Sequence, residues 1–369
     1  MDILFVSRPI APPWNEGSKN LTWQLASHLT RHTPHLLTLS GTKMAMATHI
    51  HWHDIYSQKK LTLRQKLRLL GYLAFKPPPV DLFHFYFVPT RFTSLILSVI
   101  TRFHGKQSIQ TVPSLPANLP PPDKIRELIF TDWVVVYSNH TEQKLQSWGL
   151  NNVVQIDVGI DVDRFAQAQP DSNFRSRLGL DETNVLILFA GEYARLGSVA
   201  VLKQIMPALI ARNPHCHFLI ACRILSPADL AAEADLKQFV QNEQLAHRVH
   251  FLGEVVGFAA LLKASDIFFF PVTDMQGKID TPLTVLEAMA ASLPVVTQAV
   301  PPLDEIFGSD SLALVADGKV DLLIERLLEL AADSKLRQRE GRHNLEITRQ
   351  RYDLDKMVMA YEALYDSLN

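Results

Sequence analysis

Short runs of apolar residues recur along the whole 369-residue chain, and amphipathic stretches of helical period separate them. The runs cover 3–6, 36–39, 82–87 and 134–137 in the first half, and 185–189, 217–221 and 267–270 in the second. This alternation is typical of parallel sheets that are covered by helices on both faces. Because the pattern restarts near residue 184, we predict an α/β protein of two doubly wound, Rossmann-like domains.

The polar stretch 167–173 contains Pro170 and precedes this restart, so it has the composition of a linker. We therefore place an N-terminal domain at 1–170 and a C-terminal domain at 171–349. The last amphipathic stretch, 350–369, either closes the second domain or crosses back to the first, and its periodicity favours neither. Two such sheets that face each other form a cleft lined by the loops after their strands, where we expect ligands to bind.

Composition excludes several classes of protein. Apolar residues make up 47% of the chain and charged residues 20%, which favours a globular core over disorder. The 36 basic and 38 acidic residues give a net charge of −2, so we expect no nucleic-acid partner. Two cysteines, Cys216 and Cys222, are too few for a disulfide scaffold, which favours a cytoplasmic location. We also expect no signal peptide and no transmembrane span, since no apolar run approaches about 18 residues.

Three loops contain candidate binding residues, and the first covers 12–20. Gly17 allows close backbone approach to a ligand, while Ser18 and Lys19 precede a predicted helix at 21–29 whose N-terminus suits an anion. An ordinary turn with Ser18 as the helix cap is an equal alternative. The chain has neither Gly-x-Gly-x-x-Gly nor a P-loop motif, which disfavours dinucleotide oxidoreductases and P-loop enzymes.

The second loop, 190–198, follows the first strand of the second domain. Gly191 and Gly197 bracket Arg195 directly before a predicted helix at 199–209. A guanidinium group matches the paired oxygens of a diphosphate, so Arg195 is a candidate ligand for such a group. A solvated loop arginine is the alternative.

The third loop joins a strand to an apolar helix within 278–290. Lys278 and the amides of Leu283 and Thr284 surround one helix start, where they would hold a nucleotide diphosphate. Glu287, one turn later, would accept hydrogen bonds from both ribose hydroxyls. A carboxylate in this apolar run is costly unless it is paired, which favours function over an ordinary surface position.

These residues resemble the family 4 (group 1) retaining glycosyltransferases, which have the two-domain GT-B fold. The resemblance covers nearly the whole chain and rests on 3–6 with the Gly17 loop, 158–165, 250–253, 286–296 and the acidic segment 304–306. It implies a hexosyltransferase that uses a nucleotide-diphosphate-sugar donor, retains the anomeric configuration and needs no metal. It further implies a carbohydrate or lipid-linked acceptor, and a C-terminal helix that crosses back to the first domain.

The resemblance also implies a role for each candidate residue. The diphosphate would contact Gly191, Arg195, Lys278, Leu283 and Thr284. Glu287 would bind the ribose, and the opposite wall of the cleft would contribute Gly17, Ser18 and Lys19. Lys278 and Arg195 would also be catalytic. The third catalytic residue would be Asp280, which would contact the sugar hydroxyls.

This sequence departs from the family pattern at several positions. The family has a second glutamate where this chain has Ile279, so Asp280 is the substitute. A family lysine is missing beside Arg195, and Lys278 would supply its charge. Residues 110–114 stand where the family has a histidine. A non-catalytic GT-B-like binding or scaffold protein is therefore the alternative function. An epimerase is disfavoured because this sequence lacks the acid/base residues that an epimerase needs.

Two patterns suggest metal ligands but have simpler interpretations. His49, His51 and His53 alternate in a strand-like segment, but the row lacks a fourth ligand, so we expect no metal there. Asp161 and Asp163 form an Asp-x-Asp pair inside a turn. We expect them to make the turn and cap the following helix.

The segment 59–76 is basic and amphipathic. Without any acidic residue, it contains Lys59, Lys60, Arg64, Lys66, Arg68 and Lys76 among leucines and Tyr72. Such a helix fits an anionic membrane surface or a charged acceptor, which would place the protein at the inner face of the membrane. A solvated basic face is the alternative.

Overall fold

The computed structural model describes residues 1–12, 16–41, 48–59, 61–86, 90–115, 119–308, 311–316 and 318–368. The chain divides into two compact units. The first contains Met1–Gly159, Gln276–Asp280 and Leu354–Asn369, and the second contains Ile160–Met275 and Thr281–Asp353. The first boundary therefore falls at Gly159 rather than at residue 170, because the short helix that follows packs on helices of the second unit.

A parallel sheet forms the centre of the first unit. Its described strands are β1 (Asp2–Ile10), β2 (Thr33–Leu39), β3 (His51–Tyr56), β4 (Leu82–Tyr86), β5 (Gln107–Thr111), β6 (Trp133–Val136) and β7 (Val153–Gln155). Their order is β3-β2-β1-β4-β5-β6-β7. All five residues of β4 are buried, as expected for a central strand with helices on both faces.

Among the described residues, four α-helices lie between these strands. They are α1 (Gly17–His28), α2 (Leu63–Phe75), α3 (Arg91–His104) and α4 (Asn139–Ser147), and a short 3-10 helix spans Pro122–Glu127. The start predicted for α1 at residue 21 is wrong. Gly17, Ser18 and Lys19 form its first turn, because Asn20 N already donates to Glu16 O at 3.0 Å. Ser18 is consequently not the cap.

The second unit has a parallel sheet of the same kind. Its described strands are β8 (Val185–Glu192), β9 (Cys216–Arg223), β10 (Val249–Phe251), β11 (Ile267–Phe270), β12 (Val295–Gln298) and β13 (Leu314–Val315). They are arranged in the order β10-β9-β8-β11-β12-β13. The two sheets confirm the predicted doubly wound α/β fold.

The helices of the second unit begin directly after the first boundary. They are α5 (Val162–Ala166), α6 (Phe174–Arg177), α7 (Ser198–Arg212), α8 (Pro227–Asn242), α9 (Phe258–Ala264), α10 (Leu283–Ala290), α11 (Val320–Ala332) and α12 (Ser334–Arg351), with a 3-10 helix at Leu303–Ile306. Helix α5 confirms the capping predicted for the Asp-x-Asp pair. The Asp161 carboxylate accepts a hydrogen bond from Arg164 N at 3.0 Å.

The last helix, α13 (Leu354–Asp366), belongs to the first unit. Two tyrosine hydroxyls fix it to the sheet: Tyr365 contacts His84 Nδ1 at 2.8 Å, and Tyr361 contacts Thr111 Oγ1 at 3.0 Å. The other ring nitrogen of His84 lies 2.7 Å from the same threonine hydroxyl. Burial lowers the pKa of His84 from 6.5 to about 3, so the ring is neutral.

This neutral histidine makes stability depend on pH. Its pKa is lower in the folded chain than in the unfolded chain, so stability is complete above pH 6.5 and declines as the pH falls toward 3. As the pH falls, we expect the free energy of unfolding of the wild type to decrease more steeply than that of His84→Gln. The difference between the two slopes should reach up to about 1.4 kcal/mol per pH unit. Urea denaturation at several pH values measures this difference.

The exposed His49 of the same unit supplies the control variant, His49→Gln. This variant should follow the pH profile of the wild type. A difference in stability between wild type and His84→Gln that stays constant from pH 7 to pH 4 would contradict the buried neutral ring.

Candidate functional site

Each sheet has one point where the strand order reverses direction. In the first unit this point lies between β1 and β4, and in the second unit between β8 and β11. At such a point the connections leave toward opposite sides, so a crevice opens at the carboxyl ends of the strands. The loops after β1, β8 and β11 are the three loops that the sequence singled out.

The loop after β8 has a tightly defined backbone. Leu196 and Gly197 both have positive φ, at 64° and 72°, directly before α7 begins. Leu196 O accepts a hydrogen bond from Thr273 N at 2.8 Å, and the Asp229 carboxylate accepts one from Ala194 N at 3.1 Å. A Cβ on Gly197 would lie 2.2 Å from Thr273 Oγ1, so only glycine fits. The N-terminus of α7 is therefore held in one position.

Arg195 lies in this loop with nearly half of its side chain exposed. Its guanidinium is 3.5 Å from the Glu192 carboxylate, which also lies 3.9 Å from Arg223. The side chain of Glu192 is 9% exposed, so this carboxylate restrains two cations at the end of β8. Gly191 is the second-last residue of β8 and lies at the same edge of the sheet.

Helix α10 presents its first turn at the end of β11. Its first N–H groups, on Leu283 and Thr284, have no acceptor within the helix because they precede the first full turn. Along the rest of α10, Val285, Leu286 and Ala288 are fully buried and fix the helix against the core. The arrangement supplies backbone donors for an anion at this edge of the sheet.

Glu287 is a carboxyl group of α10 with a strongly shifted pKa. Burial raises the pKa of its carboxyl to about 7, against the opposing effect of the Arg164 charge. Among the described residues, no side chain or backbone donor bonds this carboxyl. A carboxyl group with such a pKa in a crevice is a candidate for ligand binding. Arg164 was not singled out from the sequence, since it lies more than a hundred positions away.

Helix α12 holds the other end of α10. Gly341 packs so closely that a Cβ there would lie 1.9 Å from Ser292 O, and Asn344 Nδ2 donates to Leu293 O at 2.8 Å. The turn after α10 is therefore clamped by the backbone of another helix. This contact fixes the position of Glu287 along the helix axis.

The first unit places its candidates at the start of α1. Lys19 is 7% exposed, and burial lowers the pKa of its ammonium group, an effect that Glu16 opposes. Gly17 and Ser18 are half-buried beside it. Residues 13–15 of the predicted loop lie outside the described part of the chain, as do Lys60 and Phe87.

Lys278 and Asp280 lie in the segment Gln276–Asp280, which belongs to the first unit, whereas Glu287 belongs to the second. Asp280 is 6% exposed. Its Oδ2 accepts hydrogen bonds from Ser138 Oγ at 2.5 Å and Thr141 Oγ1 at 2.6 Å. The sequence analysis missed both hydroxyl residues, although Ser138 precedes α4 in a typical cap position. At least one carboxylate oxygen is thus engaged within the protein.

The histidine row does not form as predicted. His49 precedes β3, and only His51 and His53 lie in the strand. Both rings stack on His35 of β2, and His53 Nε2 lies 3.0 Å from His35 Nδ1. Burial lowers the pKa of His53 to about 4. These rings therefore pair with one another along the sheet edge.

Comparison with protein families matches residues 184–333 to the model described as glycosyl transferases group 1. The matched range lies within the second unit apart from the segment 276–280. It contains the loop of Arg195 and helix α10 with Glu287. The family match and the crevice described above thus fall on the same part of the chain.

Relatives and solved structures extend the similarity to the whole chain. The lipopolysaccharide core biosynthesis mannosyltransferase LpsB of Rhizobium meliloti is 22% identical over 290 residues, which are 72% of this chain and 79% of LpsB. HepE of Anabaena, solved with UDP, has 16% identity and a TM-score of 0.78 over 100% of both chains. Sucrose-phosphate synthase of Thermosynechococcus elongatus has 17% identity and a TM-score of 0.79 over 100% of this chain and 98% of its own. Together these findings show that the chain has the GT-B fold and that its residues 184–333 match the group 1 glycosyltransferase family.

Proposed function

We propose that the protein transfers a hexose from a nucleotide-diphosphate sugar to an acceptor hydroxyl, with retention of the anomeric configuration. The observation that carries this proposal is the carboxyl edge of the second sheet, where the N-termini of α7 and α10 follow the two strands of one switch point. Arg195 lies in the loop before α7, and Glu287 lies one turn into α10. This set combines anion donors with a carboxyl group suited to hydroxyls. HepE, which has the same fold, was solved with UDP and with UDP-glucose.

The proposed donor contacts follow from the chemistry of each group. The N–H groups of Leu283 and Thr284 and the guanidinium of Arg195 would bind the diphosphate. Gly191 leaves space for the backbone to approach the ligand. The ionised carboxyl of Glu287 would accept hydrogen bonds from the ribose hydroxyls. For Gly17, Ser18, Lys19 and Lys278 of the first unit, contacts with the donor remain predictions from the sequence.

In the proposed reaction the bond from the anomeric carbon to the diphosphate breaks on the face where the acceptor oxygen attacks. The leaving phosphate oxygen takes the acceptor's proton, so no protein nucleophile is required. Arg195 would stabilise the negative charge that develops on the diphosphate, and this electrostatic contribution would replace a metal ion. The same role for Lys278 remains a prediction from the sequence. A contact between Asp280 and the sugar hydroxyls remains a prediction from the sequence.

We further propose a carbohydrate or lipid-linked acceptor and a cytoplasmic location. The location is supported by Cys216 and Cys222, which are both free thiols buried in β9. Burial raises the pKa of each thiol to about 12, so neither is reactive.

Calorimetric titration with UDP, GDP, TDP, ADP and their sugar conjugates tests the donor. We expect one nucleotide to bind selectively in the micromolar range, about −8 kcal/mol. NMR of the product anomer then tests retention. Failure of every nucleotide to bind would contradict the proposed function.

Glu287 should make nucleotide affinity depend on pH. Its carboxyl has a pKa of about 7 without ligand, and only the ionised form is a pure acceptor for ribose hydroxyls. Affinity should therefore rise between pH 6 and pH 8 in the wild type. In Glu287→Gln we expect affinity to be about 1–3 kcal/mol weaker and flat over this range.

Glu346→Gln, at an exposed position of α12, is the matched control and should keep the profile of the wild type. Equal pH dependence in Glu287→Gln and in the wild type would remove Glu287 from the ribose contact.

Gly197 provides a test of the loop before α7. Gly197→Ala combines a positive φ with a 2.2 Å clash against Thr273, so we expect the loop to shift and nucleotide affinity to fall at least about tenfold. Gly257→Ala is the control, since its φ is +80° before α9 but no atom lies within 4 Å of the added Cβ. Gly257→Ala should therefore show only the strain of a non-glycine residue at positive φ, without a steric clash. Equal nucleotide affinity in the two variants would contradict a role for the loop position.

A further inference from the structure

Helices α2 and α3 of the first unit expose large apolar side chains to solvent. These side chains, which we call the α2–α3 face, are Leu63, Leu67 and Phe75 of α2 and Phe92, Leu95, Val99 and Phe103 of α3, each between 58% and 85% exposed. Single exposed apolar residues are common on protein surfaces, but a contiguous set of this size marks a contact surface.

On α3 the exposed residues form one continuous stripe. Phe92, Leu95, Val99 and Phe103 follow one another at spacings of three, four and four residues, so they lie along one side of the helix over about 16 Å. The opposite side packs on the sheet through Leu97 and Ile100. Helix α3 is therefore apolar on two sides, a pattern expected of a helix that is buried on both.

The exposed residues of α2 continue this surface. Leu63, Leu67 and Phe75 lie at multiples of four residues along the helix, with Gly71 completing the row. Between the two helices an apolar groove of about 480 Å³ is lined by Leu70, Gly71, Ala74 and Phe75, and by Leu95, Ile96, Val99 and Ile100. The two stripes and the groove form one apolar surface.

Basic residues surround this surface. Neither α2 nor α3 contains an aspartate or glutamate. Arg64 and Arg68 are exposed on α2 directly beside Leu63 and Leu67, while further exposed cations are Lys59, Lys76, Arg102 and Lys106. Arg91 is paired with Glu127 at 3.2 Å, and Lys60 lies outside the described residues. The surroundings of the apolar surface are thus positively charged.

We propose that the α2–α3 face docks on an anionic lipid bilayer. An apolar stripe flanked by arginine and lysine is the arrangement of helices that lie in the membrane interface, where the side chains enter the acyl boundary and the cations meet the headgroups. A second copy of this chain is a poorer occupant, because a symmetric contact would bring the two sets of cations together. No helix in the described part of the chain is long and apolar enough to cross a bilayer. In the proposed contact α2 and α3 lie in the interface of the bilayer.

Vesicle flotation of the full-length protein tests this proposal. Phosphatidylcholine vesicles are compared with vesicles that also contain phosphatidylglycerol, at low salt and at about 0.5 M salt. We expect binding to the anionic vesicles only, and loss of most of it at high salt. The double variants Phe92→Ser with Phe103→Ser, and Arg64→Gln with Arg68→Gln, should each weaken the apparent affinity about tenfold or more.

The control is Leu230→Ser with Leu322→Ser, two apolar residues of the second unit that are 56% and 51% exposed. This variant should bind vesicles as the wild type does, and thermal unfolding should show all variants folded. Equal binding to both kinds of vesicle, no binding by the wild type, or binding that neither α2–α3 variant reduces would overturn the proposal. So would a wild-type dimer in sedimentation velocity that Phe92→Ser with Phe103→Ser dissociates.

Discussion

The burial of both faces of two parallel sheets is the constraint on which the rest of this structure depends. A strand such as β4, buried at every position, has no place for a charged group along its length. Charged groups for ligand binding are therefore expected in the loops where strands end and helices begin, and the strand order decides which of these loops are neighbours. In the second unit that edge combines Arg195 with Glu287, although 92 positions of sequence separate them.

Close backbone contacts then convert these loops into fixed positions. Gly197 allows the start of α7 to lie against Thr273, and Gly341 allows α12 to lie against the end of α10. In both places a single methyl group would force the neighbours apart. A helix N-terminus binds an anion well only if its N–H groups already point toward it, so these glycines would contribute to the proposed binding without touching a ligand.

Local features of this fold could be predicted from the sequence, and contacts between distant residues could not. The apolar runs predicted seven of the thirteen described strands, namely β1, β2, β4, β6, β8, β9 and β11. The cap at Asp161 was predicted because the amide that donates to it, Arg164 N, lies only three residues away. The partners of Asp280 were missed because Ser138 and Thr141 are about 140 positions distant. The stripe on α3 was missed for another reason: residues 92–103 have the same apolar character whether they face a core or solvent, and only the packing of neighbouring elements distinguishes the two.

The pKa of Glu287 connects the fold to the proposed chemistry. Burial favours the neutral carboxyl, whereas Arg164 favours the ionised form, and the balance lies at about 7. Near neutral pH the two forms then have nearly equal free energy, so a small additional interaction decides between them. In the proposed complex, hydroxyl donors of the ligand would favour the carboxylate. A carboxyl that is costly to bury in the empty protein would then become a selective acceptor for these hydroxyls.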